Sequence, residues 1–235
     1  MKILSIDSST KAASAAVTEG AKILAEFSLN TGFTHSQTLM PIIDHALKES
    51  GTNLKDIGLI AVTLGPGSFT GVRIGVASAK GLAFSDNIPV IGVSALEALS
   101  YNLQGLSGEF YVSAVIDARC GQVYNAVFKY NNGDIERITE DRVIKITDLA
   151  EALTEYDLPV YIIGDGTEPC LKEASFPQVL RVPASLSEVK ASSTAFASIK
   201  IYEEKGASDS ASIQPIYLQL PQATRELKKK TESKN

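Results

Sequence analysis

Few residues in this sequence are placed to do chemistry. Asp7 and Asp117 each close an apolar stretch, Lys2 to Ser8 and Phe110 to Asp117, where a strand gives way to a hairpin. A carboxylate at such a point can face a cleft, or it can accept hydrogen bonds from its own turn. Gly65-Pro66-Gly67-Ser68 links the apolar run Leu59 to Leu64 to a long apolar segment, with Ser68 as a helix N-cap. A glycine turn opening a helix can cradle phosphate, but the spacing fails both common forms. Thr70 stands where a dinucleotide fingerprint has its third glycine, and no acid ends the following strand, Pro89 to Val93. Gly71 is followed by Val72-Arg73, where a Walker loop requires Lys and then Ser or Thr. The glycines therefore read as packing or interface residues. His35 and His45 have no Cys or carboxylate at ligand spacing. Cys120 and Cys170 make neither a disulfide framework nor a metal set and read as reduced thiols. Ser68 lacks the Gly-x-Ser-x-Gly context of a nucleophile elbow. Gly164-Asp165-Gly166 after a strand could approach an adenine, but a strand-end turn is the simpler reading.

The elements that position these residues repeat. Strands at 2–8, 12–18 and 22–29 precede a helix from His35 to Glu49, which carries an apolar stripe and Pro41 in its first turns. Strand 59–64, the glycine-rich helix, strand 89–93 and a helix from Ala95 to Leu103 capped by Ser94 complete the order βββαβαβα. The same plan follows Gln104–Gly108: strands 110–117, 122–130 and 134–139, a helix from Thr147 to Tyr156, strand 160–164, a helix near 168–174, strand 179–182, and a helix from Ser193 to Lys205. The openings match as well, Ser5-Ile6-Asp7-Ser8 against Val115-Ile116-Asp117-Ala118.

Two such halves resemble the actin/hexokinase/Hsp70-like (ASKHA) superfamily, an α/β fold of two lobes around a cleft. On that plan residues 1–104 form the first lobe, 105–221 the second, and 222–235 a basic tail. Kinases of this superfamily place metal-phosphate and catalytic acids where Asp7 and Asp117 stand, and follow the first with a phosphate-wrapping hairpin. Here that hairpin is Ser8-Ser9-Thr10-Lys11-Ala12, without glycine, although Gly121 occupies the second one.

The glycine-rich helix is unusual. Between Ile57 and Phe84 the charged residues are Arg73 and Lys80, seven apart and on one face. Gly71, Gly75 and Ala79 form a small-residue stripe on the opposite face, with Ser78 and Leu82 beside it. Internal glycine costs a helix about 1 kcal/mol relative to Ala, so two on one stripe predict close backbone approach. One side is expected to meet the sheet and the other a partner helix.

Composition narrows the class. At 44% hydrophobic and 21% charged the chain is ordinary for a soluble protein, its apolar runs are short of the ~20 residues a membrane span requires, and Asp7 interrupts any signal-like start. The formal charge of −5 argues against autonomous nucleic-acid binding. Arg225, Lys228, Lys229, Lys230 and Lys234 against Glu226 and Glu232 make the tail +3 and leave −8 on the remainder.

Three stretches then resemble the TsaB (YeaZ) family: Ile3-Leu-Ser-Ile-Asp-Ser-Ser-Thr10, His35-Ser-Gln-x-Leu-x-Pro41, and Gly65-Pro-Gly-Ser-Phe-Thr-Gly-Val-Arg-Ile-Gly75, with Pro215-Ile-Tyr-Leu218 near the end. The resemblance implies a cytoplasmic subunit of the machinery that makes threonylcarbamoyladenosine beside the anticodon of tRNAs reading codons that begin with A. Its implied partners are the transferase paralogue TsaD and the ATPase TsaE, with tRNA met only through the complex and a homodimer formed when the chain is alone. It implies no cofactor of its own, ATP and metal belonging to the partners. TsaD-like proteins bind their metal through the histidines of Val-Asn-His-Leu-Glu-Gly-His. Here the stretch is Val93-Ser94-Ala95-Leu96-Glu97-Ala98-Leu99, so Ala95 and Leu99 replace both ligands and the chain reads as a pseudoenzyme. The partner interface is expected at His35, Leu39, Ile42, Gly67, Ser68, Gly71, Arg73, Gly75, Ser78, Ala79 and Leu82, with Gly75→Leu breaking association while sparing the fold. The alternative is a nucleotide-binding small-molecule kinase of the same fold, using Asp7 and Asp117.

Overall fold

Alternating apolar residues in the first strands give each sheet two buried faces. The computed structural model describes residues 1–208 and 210–219. In the first half, β1 (Lys2–Asp7), β2 (Ala13–Glu19) and β3 (Lys22–Leu29) precede α1 (His35–Glu49), β4 (Leu59–Thr63), α2 (Phe69–Asp86), β5 (Val90–Val93) and α3 (Ala95–Ser100). The second half runs β6 (Glu109–Arg119), β7 (Gln122–Asn131), β8 (Asp134–Arg137), β9 (Arg142–Lys145), α4 (Ile146–Ala152), β10 (Val160–Ile163), α5 (Thr167–Glu173), β11 (Val179–Arg181) and α6 (Ala191–Lys205).

The first sheet is ordered β3-β2-β1-β4-β5 and the second β8-β7-β6-β10-β11. In each, the first strand is antiparallel to the second and parallel to the strand on its other side. This duplicated order is the actin/hexokinase/Hsp70-like (ASKHA) fold anticipated from the element pattern.

Strand β9 departs from the expected plan. β8 pairs only with Phe128–Asn131 of the long strand β7, which leaves the edge of Gln122–Asn125 open. β9 fills that edge in antiparallel register and satisfies its backbone groups. The following helix therefore begins at Ile146, with Lys145 rather than Thr147 as its cap, and gives way to a 3₁₀ turn after Ala152.

Side chains of the first sheet alternate between two cores, as strand geometry requires, and the outer face of the second sheet packs a third with Ile146, Leu149 and Cys170. Leu4, Ile6, Ile60 and Val62 face α1 and α2, packing on Leu39, Ile42, Ile43, Ala46, Val72, Val76, Ala79 and Ala83. Ile3, Leu59 and Ala61 face the other way, into a core shared with α3, α6 and the second sheet through Phe110, Val112, Ala126, Phe128 and Tyr130. Although α6 closes the second half, it packs on β1, β2, β4 and β5. Its first turn is capped from the first sheet, where Glu26 Oε1 accepts the Ser192 amide at 2.8 Å.

A polar lock joins α3 to the second sheet. Ser94 Oγ accepts the Leu96 and Glu97 amides as the helix cap and donates to Asp141 at 2.6 Å. Arg137 bridges Glu97 at 2.9 Å and Asp141 at 2.6 Å while lying 4.8 Å over the Phe128 ring. Tyr130 donates its hydroxyl hydrogen to the Ser100 carbonyl. Among the described residues no helix is long and apolar enough to cross a membrane.

Candidate functional site

The β1–β2 hairpin, the N-terminus of α2 and the β6–β7 hairpin meet around a cleft of about 500 Å³, lined among others by Thr10, Lys11, Ser68, Asp117, Asp165 and Tyr217. Asp7 does not open into it. It is fully buried, and its Oδ1 accepts the Ser9 amide at 3.1 Å, the Ser9 hydroxyl at 2.6 Å and the Thr63 hydroxyl at 2.6 Å. Its Oδ2 has no partner among the described residues. Asp117 faces the cleft, and its Oδ1 accepts the Arg119 amide at 2.7 Å. Both acids thus accept hydrogen bonds from their own turns, the simpler of the two readings open in the sequence, and Asp7 also ties its turn to the end of β4 through Thr63. The β10–α5 turn is pressed onto β6: a Cβ at Gly164 would lie 1.9 Å from the Val115 carbonyl oxygen, and Asp165 Oδ1 accepts the Asp117 amide at 3.0 Å.

Burial pushes the Asp7 carboxyl above its ordinary range, against the opposing pull of the hydrogen bonds from Ser9 and Thr63. The sign follows by linkage. The folded chain holds this proton to higher pH than the unfolded chain, whose aspartate titrates near ~3.9, so this group favours folding at low pH and that contribution is lost as pH rises through the folded-state value. Asp7→Asn is therefore expected to gain stability relative to wild type as pH rises from about 4, at up to ~1.4 kcal/mol per pH unit until Asp7 has ionised in the folded state. Thermal melts of both proteins between pH 4 and pH 8 test this; a constant difference would contradict it.

Helix α2 has two different faces. At its start, Ser68 Oγ accepts the Gly71 amide at 3.1 Å. Gly71, Val72, Gly75, Val76, Ala79 and Ala83 are buried within the chain itself. A Cβ at Gly71 would lie 2.1 Å from the Ser8 carbonyl oxygen and 2.9 Å from His35 Cδ2, and one at Gly75 would lie 2.5 Å from Ser8 Oγ. The small-residue stripe thus brings α2 against the end of β1, and the expected partner contact at Gly71, Gly75 and Ala79 is corrected. Leu39 and Ile42, 1% and 2% exposed, are also core residues beneath α1 rather than interface residues. The same geometry removes the expectation that Gly75→Leu would spare the fold.

Of the remaining expected interface residues, Ser68 and Arg73 are exposed, and His35, Gly67, Ser78 and Leu82 are half-buried. His35 Nε2 donates to the Thr10 carbonyl at 2.9 Å, tying α1 to the cleft hairpin. His45 lies beside Phe27, ring centroids 5.9 Å apart. Thr70, Arg73, Ala77, Gly81 and Phe84 line the solvent side of α2, with Ile74 half-buried at its margin. Phe84 is 81% exposed, and Met40 of α1 is 46% exposed. Ala77, Gly81 and Phe84 carry no local signal as strong as the four-residue spacing of Gly71, Gly75 and Ala79, although the seven-residue spacing of Arg73 and Lys80 marks the outward side.

Beyond α6 the chain returns as a strap along α2. Lys80 Nζ donates to the Ala211 carbonyl at 3.0 Å, Ile213 is buried, and the Ile216 amide donates to the Leu64 carbonyl at 2.8 Å. Gln219 Nε2 then reaches Gln122 of the second sheet at 3.1 Å. Ile216, Tyr217 and Leu218 of the Pro215-Ile-Tyr-Leu218 motif line the cleft together with Gln219.

The family model described as TsaD, tRNA N6-adenosine threonylcarbamoyltransferase, matches residues 23–228. The tRNA threonylcarbamoyladenosine biosynthesis protein TsaB of Bacillus subtilis is 35% identical over 228 residues, covering 95% of this chain and 96% of that one. This chain belongs to the TsaB (YeaZ) family. The Escherichia coli TsaB is 42% identical over 135 residues, 57% of this chain and 58% of that protein. YeaZ from Pseudomonas aeruginosa superposes with a TM-score of 0.80 at 26% identity, covering 92% of this chain and 99% of that one. In this TsaB-family chain Ala95 and Leu99 are fully buried in the core between the two sheets. Among the described residues no group of three or more His, Cys, Asp or Glu is placed to hold a metal ion. The basic tail, 222–235, lies outside the described residues.

Proposed function

We propose that this chain is a non-catalytic subunit of tRNA threonylcarbamoyladenosine synthesis, which docks the TsaD-type transferase through the outer face of α1 and α2 and works with a TsaE-type ATPase. The observation that carries the reading is the two-sidedness of α2. Gly71 and Gly75 are taken up by internal packing, while Ala77, Gly81 and Phe84 present an apolar surface that no described part of the chain covers. Such a surface marks an interaction site. In the isolated chain the same face is expected to pair with a second copy about a two-fold axis.

The non-catalytic part of the reading is supported by Ala95 and Leu99, whose apolar side chains pack the core where a TsaD-like protein carries metal-binding histidines. It is supported too by Asp7, whose carboxylate serves Ser9 and Thr63 within the fold. On this reading the chain carries no cofactor of its own, and it meets tRNA only within the complex. Reconstitution tests it. The transferase, the ATPase and the enzyme that supplies the threonylcarbamoyl adenylate are combined with tRNA, with and without this chain. Modification is expected to need the chain, and the chain alone is expected to modify nothing. Full modification in its absence would overturn the proposal.

A further inference from the structure

Arg73 is held in an unusual way for an exposed arginine. Its Nε donates to the Tyr217 hydroxyl at 2.7 Å. Its guanidinium lies 4.0 Å over the Phe69 ring and 5.6 Å from the centre of the Tyr217 ring, and those two rings are 4.6 Å apart. Phe69 is the first residue of α2 and Tyr217 belongs to the strap, so two distant segments fix one side chain. No carboxylate among the described residues pairs with it; the salt bridges there belong to Arg137 and Arg181. The two terminal amino groups of the guanidinium, the fork that grips a planar oxyanion with two parallel hydrogen bonds, make no hydrogen bond among the described residues.

We propose that Arg73, oriented by Tyr217 and Phe69, is a preformed receptor for an aspartate or glutamate side chain of the docked transferase paralogue. The inference rests on the docking reading above and names the chemistry at one edge of that face. A protein carboxylate fits the surroundings better than a nucleic-acid phosphate. Phosphate backbones are held by several cations together, whereas the exposed neighbours of Arg73 on its helix face are the uncharged Thr70 and Ala77, and Lys80 Nζ is engaged by the Ala211 carbonyl. The chain outside the tail also carries a formal −8, which opposes a polyanion. Holding the guanidinium in place before binding reduces the side-chain entropy lost at the interface, which gives Tyr217 a positioning role.

The test measures binding of the full chain to its TsaD-type paralogue by calorimetry at two salt concentrations. Variants are Arg73→Lys, Tyr217→Phe and, as a control for the docking face, Gly81→Glu. Arg73→Lys keeps the charge but loses the fork, and is expected to weaken binding about tenfold. Tyr217→Phe keeps Arg73 but frees it, and is expected to weaken binding about threefold to tenfold. Both variants keep the cation, so salt should weaken their binding about as much as it weakens that of wild type. Wild-type affinity for Arg73→Lys alongside lost binding for Gly81→Glu would overturn the receptor and leave the docking face standing. If Gly81→Glu binds as wild type, the docking face itself fails and the receptor falls with it. Loss of self-association alone, with unchanged binding to the paralogue, would assign the carboxylate to a second copy and overturn the proposal.

Discussion

Gly71→Leu is expected to leave the chain unable to fold, whereas Gly81→Ala, further along the same helix, is expected to raise its stability by about 1 kcal/mol. The two glycines face opposite environments. A Cβ at Gly71 would meet the Ser8 carbonyl oxygen at 2.1 Å, and nothing lies within 4 Å of one built at Gly81. The obstruction at Gly71 is main chain, and that main chain is pinned. Ser8 donates its hydroxyl hydrogen to the Gly71 carbonyl at 2.9 Å, and the Ser9 amide is held by Asp7. Overpacking a core commonly costs ~1–3 kcal/mol per intrusion. A whole leucine driven into backbone exceeds that range, in a domain whose total stability is of order 5–15 kcal/mol. Gly71→Ala is the graded version, with a net loss of up to about 2 kcal/mol once its better helix propensity is counted. Urea unfolding of the three variants measures all of this. A wild-type midpoint for Gly71→Leu would contradict the inward assignment of the stripe.

Gly81→Glu is expected to weaken binding to the TsaD-type paralogue by about 100-fold or more with the fold intact. The site is open, and glutamate is a better helix former than glycine, so the isolated chain gains or keeps stability. In the docked state the same carboxylate would sit among Ala77, Phe84 and Ile74 of the outer face, stripped of water and unpaired. Burying an unpaired charge at an interface costs several kcal/mol, and each 1.4 kcal/mol is about tenfold in affinity. Calorimetry together with circular dichroism separates lost docking from lost folding. Wild-type affinity would remove the outer face of α2 from the interface.

Local signals wrote most of the architecture. Ser68 and Ser94 are the caps that their positions before apolar helices predict, and the repeated βββαβαβα pattern reappears as the same strand order in both sheets. Strand β9 was illegible because its reason is not local: it answers an open edge that exists only once β7 and β8 have paired unequally. The site divides in the same way. The turn roles of Asp7 and Asp117 are short-range chemistry and were open to reading. Which face of α2 points outward was not settled by its glycines, since a stripe of small residues means close approach without saying to what. His35 and Ser8, from segments far apart in the chain, settle it by occupying the space beside Gly71. The contact between Arg73 and Tyr217 had no sequence signal, because the strap is brought back along α2 by Ile213 and by the Ile216–Leu64 hydrogen bond.

The central claim is that this chain contributes a surface rather than a catalytic cleft, and one measurement separates the two. In the reconstituted modification of tRNA, Asp117→Asn changes the cleft acid and Gly81→Glu changes the outer face of α2. Asp117→Asn is expected to support modification at the wild-type rate, and Gly81→Glu to reduce it to the level seen without the chain. The reverse result, modification lost with Asp117→Asn and kept with Gly81→Glu, would contradict the claim.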